Sequence, residues 1–182
     1  EWTSSSDWDG NYWSEFPKRI REANIFLREA HALPSQGIST TEIEYMKAEC
    51  RFYKAYYYYL LANTYGGVPF KPDYIAPTDF TLSDLLVGQR PYTEIIDWCD
   101  KELLAVSKLL PAKYTEARKY GRVTSIMCLA VRARMLLFAA SPLVNGNADY
   151  ANFKNSDGEN IFAPTYDATK WKYAAQACKE LI

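Results

Sequence analysis

The sequence predicts an all-α fold, with helical hairpins of tetratricopeptide type joined by long irregular insertions. Three observations lead there. Apolar residues recur at helical spacing in five separate stretches. No segment shows convincing strand alternation. Helix starts near Phe16, Tyr92 and Ala168 are 76 residues apart, and a shorter charged helix is followed each time by a longer apolar one. One hairpin cannot bury its own faces, whereas two and a half can stack.

Glu1 to Tyr12 has no period and reads as a loop. Trp2, Trp8 and Tyr12 stand in it among Asp7, Asp9 and Asn11. Such rings are either tucked into a neighbouring surface or exposed for a ligand. Trp13 to Ala30 is the first helix. Phe16, Ile20, Ala23, Asn24 and Leu27 form its buried face, and Pro17 is expected in its first turn. Asn24 beside that face reads as a structural amide with partners.

The second helix is capped by Ser39 or Thr40 and runs to about Tyr65. Ala48, Phe52, Ala55, Tyr59 and Ala62 make one apolar stripe, and Tyr45, Phe52, Tyr56 and Leu60 a second. Lys47, Arg51, Lys54 and Tyr58 are left as the wettable face. A helix this widely apolar is expected between neighbours. Gly66 or Gly67 can close it in the left-handed conformation, and Pro69 cannot continue it.

Residues 66–91 form a long connection broken by prolines, with a short helical turn expected at Thr81-Leu82-Ser83-Asp84. Tyr92 to Leu110 is the third helix, burying Ile95, Ile96, Cys99, Leu103, Val106 and Leu110. Gly121-Arg122-Val123-Thr124 opens the fourth, which runs to about Ala140. Its small residues let another helix approach closely. Residues 141–167 read as a polar loop. A fifth helix follows, capped by Thr165, Asp167 or Thr169, with Trp171, Ala174, Ala175, Cys178 and Leu181 at helical spacing.

The 182 residues suffice for one domain with a core. The chain opens in a loop with no visible signal peptide and stops inside a helical pattern. It is therefore expected to be a fragment of a longer protein. Residues 1–182 form one all-α segment, with hairpins over about 13–66 and 92–141 and a third starting at 168.

Several motifs resemble the SusD/RagB-like glycan-binding lipoproteins of the Gram-negative outer membrane. Ala48-Glu49, Phe52, Ala55-Tyr56 and Tyr65-Gly66-Gly67-Val68-Pro69 are similar to the family's central signature. Trp13, Ile20, Ala23-Asn24 and Leu27 resemble its opening helix. Leu103, Val106 and Leu110-Pro111 resemble its Leu-Pro helix end, with Glu102 and Val106 where the family usually has Asp and Ala. Gly121-Arg122-x-Thr124, followed by Ala133-Arg134, resembles the next segment. The resemblance covers most of the chain from Trp13 to Ala140. It implies a surface lipoprotein that captures oligosaccharide, or in some relatives peptide, and delivers it to a SusC-like TonB-dependent transporter. It also implies that this part supplies helical scaffold and transporter contacts, and that membrane attachment is through a lipid anchor on an N-terminal cysteine outside this chain.

Other chemistry finds little support. Catalysis needs paired carboxylates or an activated nucleophile, and the loop acids Asp7, Asp9, Asp73, Asp79 and Asp84 show no pairing. There is no GxSxG, P-loop or HExxH pattern, so neither enzyme nor cofactor is expected. His31 is the only histidine, and Asn155, Asp157 and Gly158 fail an EF-hand pattern because Phe153 and Pro164 stand at its first and last positions. The net charge of −1 disfavours nucleic acid, and no run approaches a membrane span. Cys50, Cys99, Cys128 and Cys178 all fall in helices, as buried hydrophobes or as one inter-helix disulfide. Sugar rings bind on aromatic planes edged by hydrogen-bonding groups. Trp8, Asn11, Tyr12 and Trp13 are therefore the candidate ligand residues. Glu49, Tyr65, Gly66, Gly67, Pro69, Gly121, Arg122 and Thr124 are candidate structural motif residues. The competing reading is a helical-repeat adaptor for a protein or peptide.

Overall fold

The computed structural model describes residues 11–77, 79–81 and 86–182. Among the described residues five α-helices follow one another: α1 Tyr12–Glu29, α2 Thr40–Tyr65, α3 Tyr92–Ser107, α4 Ser125–Ala140 and α5 Thr169–Leu181. Each packs on the next, α1 on α2 through to α4 on α5. The all-α hairpin class is thus the observed one. Helices α1, α3 and α5 begin at Tyr12, Tyr92 and Thr169, so the period is close to uniform but not equal.

Helix α2 is the centre of the stack. Its predicted stripe is buried at Ala48, Phe52, Ala55, Tyr59 and Ala62. Ser39 caps it by accepting the Glu42 backbone N–H at 3.2 Å. Thr124 does the same for α4, accepting from Met127 at 3.3 Å. Before α5, Asp167 accepts the Thr169 backbone N–H at 2.8 Å.

Four expectations are corrected. Lys54 and Tyr58 do not face water: they are only 2 % and 5 % exposed. Trp98 of α3 and Phe70 of the following connection fold over that face, and Tyr58, Phe70 and Trp98 meet edge-on at 4.9–5.6 Å. Pro17 lies beyond the first turn because α1 starts at Tyr12, so the Trp13 carbonyl lacks its helical N–H partner. Among the described residues one short antiparallel pair of strands exists, β1 Val68–Pro69 with β2 Gln89–Arg90. It is too short to show alternation in sequence. Gly66 has positive φ, 75°, but with ψ −115° it is not in the left-handed helical region. The helical turn expected at 81–84 falls largely outside the described residues.

The segment 141–167 is more than a polar loop. Val144, Asn145, Asn155 and Ile161 are buried in it. Asn145 donates to the carbonyls of Ala140 and Asp167 and accepts from Asp167 N–H. Phe162 stacks with Tyr150 and reaches Tyr92. The segment thereby plugs the end of the α2–α3 pair. All four cysteines are free. Cys99 donates to the Ala55 carbonyl at 3.3 Å, and burial pushes the Cys128 thiol up to about 12.

Candidate functional site

Of the sequence-predicted ligand residues, Asn11, Tyr12 and Trp13 lie at the start of α1. Trp8 falls outside the described residues. Asn11 is exposed and gives no side-chain cap to the helix. Tyr12 is half-buried, with one ring face stacked on Phe16 at 4.4 Å, and Phe16 stacks in turn on Tyr57 at 4.6 Å. Stacking consumes a face that a sugar would use. Trp13 is different: it is 49 % exposed. Its indole meets Tyr65 edge-on at 5.3 Å, and its backbone N–H donates to the Tyr65 hydroxyl at 3.3 Å. That N–H is one of the first-turn donors a helix leaves unpaired. Tyr65, 52 residues away, thus supplies a cap that Asn11 does not.

Trp13 stands at the rim of a groove of about 460 Å³ among the described residues. Ile20 and Arg21 of α1 and Tyr58 of α2 line it, together with Pro69, Lys71 and Tyr74 from the connection. The walls are largely apolar, and two cations and two hydroxyls stand among them. Burial raises the Tyr58 hydroxyl well above its usual value, while a hydrogen bond from the Lys71 backbone opposes that shift, so the group stays protonated.

The wall is held from beneath. Lys54 Nζ donates to Asn24 Oδ1 at 3.1 Å and to Asp73 Oδ1 at 2.7 Å, and lies 5.6 Å from the Trp98 ring centre. Asn24 Nδ2 donates to the Tyr74 carbonyl at 3.1 Å. The partners expected of Asn24 are therefore present. The role of Lys54 is not legible in the sequence, because helical spacing places it opposite the apolar stripes. An isolated cation among aromatic residues was the available signal.

Two other motif residues meet on the far side of α2. Arg122 donates to Glu49 Oε1 at 2.8 Å and to Glu42 Oε1 at 2.7 Å, and Tyr114 donates to Glu49 at 3.1 Å. Burial opposes the Arg122 charge, but the hydrogen bonds it donates to Glu42 and Glu49 outweigh it and raise the pKa. Desolvation and Glu49 together push the Tyr114 hydroxyl up to about 12. This cluster ties α2 to the turn before α4, where Gly121 carries φ 91°. Among the described residues, no group of three or more His, Cys, Asp or Glu side chains is placed to hold a metal ion, and no helix is long and apolar enough to cross a membrane.

The described helices stack as successive hairpins joined by long inserted connections, a tetratricopeptide-like scaffold. Residues 1–137 match the family SusD-like_3, described as "Starch-binding associating with outer membrane", and the chain belongs to that family. The solved structure BT4246 is 35 % identical with a TM-score of 0.82, over 93 % of this chain and 29 % of its own. A SusD-like carbohydrate binding protein (BF0978) from Bacteroides fragilis is 22 % identical with a TM-score of 0.64, over 98 % of this chain and 28 % of its own. Surface glycan-binding protein A from Bacteroides uniformis is 21 % identical with a TM-score of 0.60, over 95 % of this chain and 31 % of its own. The chain thus spans less than a third of the length of these structures. No curated protein matches it.

Proposed function

We propose that this chain is the helical part of a cell-surface protein that binds oligosaccharide and passes it to a TonB-dependent outer-membrane transporter. Binding, not catalysis, is the activity. The protein is held at the outer membrane by a lipid anchor outside this chain. Family membership supports the class of ligand. The observation that carries the site is Trp13: a half-exposed indole, anchored by Tyr65, at the mouth of a groove with apolar walls and the hydrogen-bonding groups of Arg21, Lys71 and Tyr58.

Covering on the order of 100 Å² of ring face contributes roughly 2–3 kcal/mol before ordering costs. Single-platform affinity then falls in the range of roughly millimolar to micromolar. The test is calorimetry on the full-length protein with starch, xylan, mannan and arabinan oligosaccharides, and with a peptide panel. Trp13→Ala should weaken sugar binding about tenfold while lowering stability only by the lost Tyr65 edge contact, about 1 kcal/mol. Trp8→Ala, on the ring also expected to contact ligand, should weaken binding alike. Binding of peptides and of no sugar would favour the adaptor reading.

A further inference from the structure

Part of the groove wall, Lys71, Tyr74 and Ala76, belongs to the irregular connection after β1. No helix or long strand fixes the course of residues 70–77. What fixes it is a set of side chains from beneath. Lys54 reaches Asp73, Asn24 reaches the Tyr74 main chain, and the Lys71 backbone bonds the Tyr58 hydroxyl. Lys71 Nζ then lies 5.0 Å from the Tyr74 ring centre. Lys54 sits mid-helix in α2, where an apolar residue would pack without desolvating a charge. Packing alone therefore gives no reason for a lysine there. Its reach to an otherwise exposed Asp73, whose side chain is 83 % exposed, does.

We propose that Lys54 and Asn24 are positioning residues for the groove: they clamp the Lys71–Tyr74 segment and so place the Tyr74 ring as a second face, in addition to Trp13, for a bound sugar. The inference rests on reading the groove as a glycan site. Lys54 contacts no ligand. It acts through Asp73, and Asn24 acts through the Tyr74 carbonyl.

The test uses the full-length protein and whichever starch, xylan, mannan or arabinan oligosaccharide binds the wild type. Asp73→Asn removes the ion pair while keeping shape at an exposed position; it leaves the buried Lys54 ammonium with Asn24 but no anion, so the melting point is read beside the affinity to confirm a folded variant. Lys54→Met removes it from the buried side. Each should weaken binding about threefold to tenfold and speed backbone hydrogen exchange in residues 71–76. Tyr74→Ala should weaken binding at least as much. In the double variant Asp73→Asn/Tyr74→Ala, affinity should be no lower than in Tyr74→Ala alone, because the clamp acts only by placing that ring. A purely structural clamp would give additive losses instead, and additivity overturns the proposal. So does unchanged affinity and exchange in Asp73→Asn. If Tyr74→Ala binds like the wild type while Trp13→Ala does not, the clamp proposal falls and the glycan reading stands. If the wild type binds no sugar, both fall.

Discussion

At Gly66 the backbone turns out of α2 with φ 75°, and a Cβ there would lie 2.7 Å from Phe162 Cζ. At Gly67 φ is not positive, yet a Cβ would lie 2.9 Å from the Arg90 carbonyl oxygen and 2.5 Å from Ile161 Cδ1. The first glycine is required by conformation, the second by the close approach of β2 and the 141–167 plug. Gly66→Ala should therefore cost about 1–3 kcal/mol of strain plus the displacement of a ring. Gly67→Ala should cost about 1–3 kcal/mol by overpacking. Denaturant midpoints check both, and a Gly67→Ala variant as stable as the wild type would mean that Ile161 yields freely. The sequence made a helix stop here legible, because glycine and proline report backbone geometry directly. It could not show the second reason, since Ile161 lies some 94 residues away. Lys54 is the converse: its charge pointed to water, and only the fold brings Asp73, Asn24 and Trp98 around it.

At the scale of elements, the caps and the apolar stripes were legible because they are local. Ser39 and Thr124 were both placed at helix starts, and both accept a first-turn N–H. Replacing either with alanine should cost about 1 kcal/mol, read from denaturant unfolding. The tie between α2 and the α4 turn was legible only as motif residues, not as a contact. Glu42 lies beside Arg122, Lys119 and Glu116. The hydrogen bond from Arg122 chiefly holds the Glu42 carboxyl below its ordinary 4.5, and desolvation opposes it. A depressed carboxylate stabilises the fold above its unfolded pKa, and the contribution fades as pH falls through the folded value. Arg122→Met should therefore lose roughly 1–3 kcal/mol at neutral pH. The gap to the wild type should narrow as the solution is acidified below about pH 4.5. A gap that stays constant down to acid unfolding would remove Glu42 from this account.

For the whole molecule, the distribution of exposed apolar side chains bears on partners. Ile126 and Leu137 of α4 are 51 % and 49 % exposed, and Trp171 and Tyr173 of α5 are 39 % and 66 % exposed. Isolated surface apolar residues are ordinary, but several on adjoining helices are the kind of surface that a further stretch of protein covers. The solved structures this chain resembles are much longer, since it spans only 29 % of BT4246. Two coverings are therefore in play, more of a longer chain or a separate partner, and the family resemblance implies a β-barrel transporter as that partner. If the transporter proposed above is that partner, the full-length protein should co-purify with a TonB-dependent transporter in mild detergent. Peroxide oxidation of Met127, 41 % exposed here, should then separate the coverings. If the chain itself covers α4, Met127 is protected in the full-length protein alone. If the transporter does, Met127 is protected only in the complex. A full-length protein that never associates with the transporter, and whose Met127 oxidises freely throughout, would leave these helices open for a peptide or protein partner, as the adaptor reading requires.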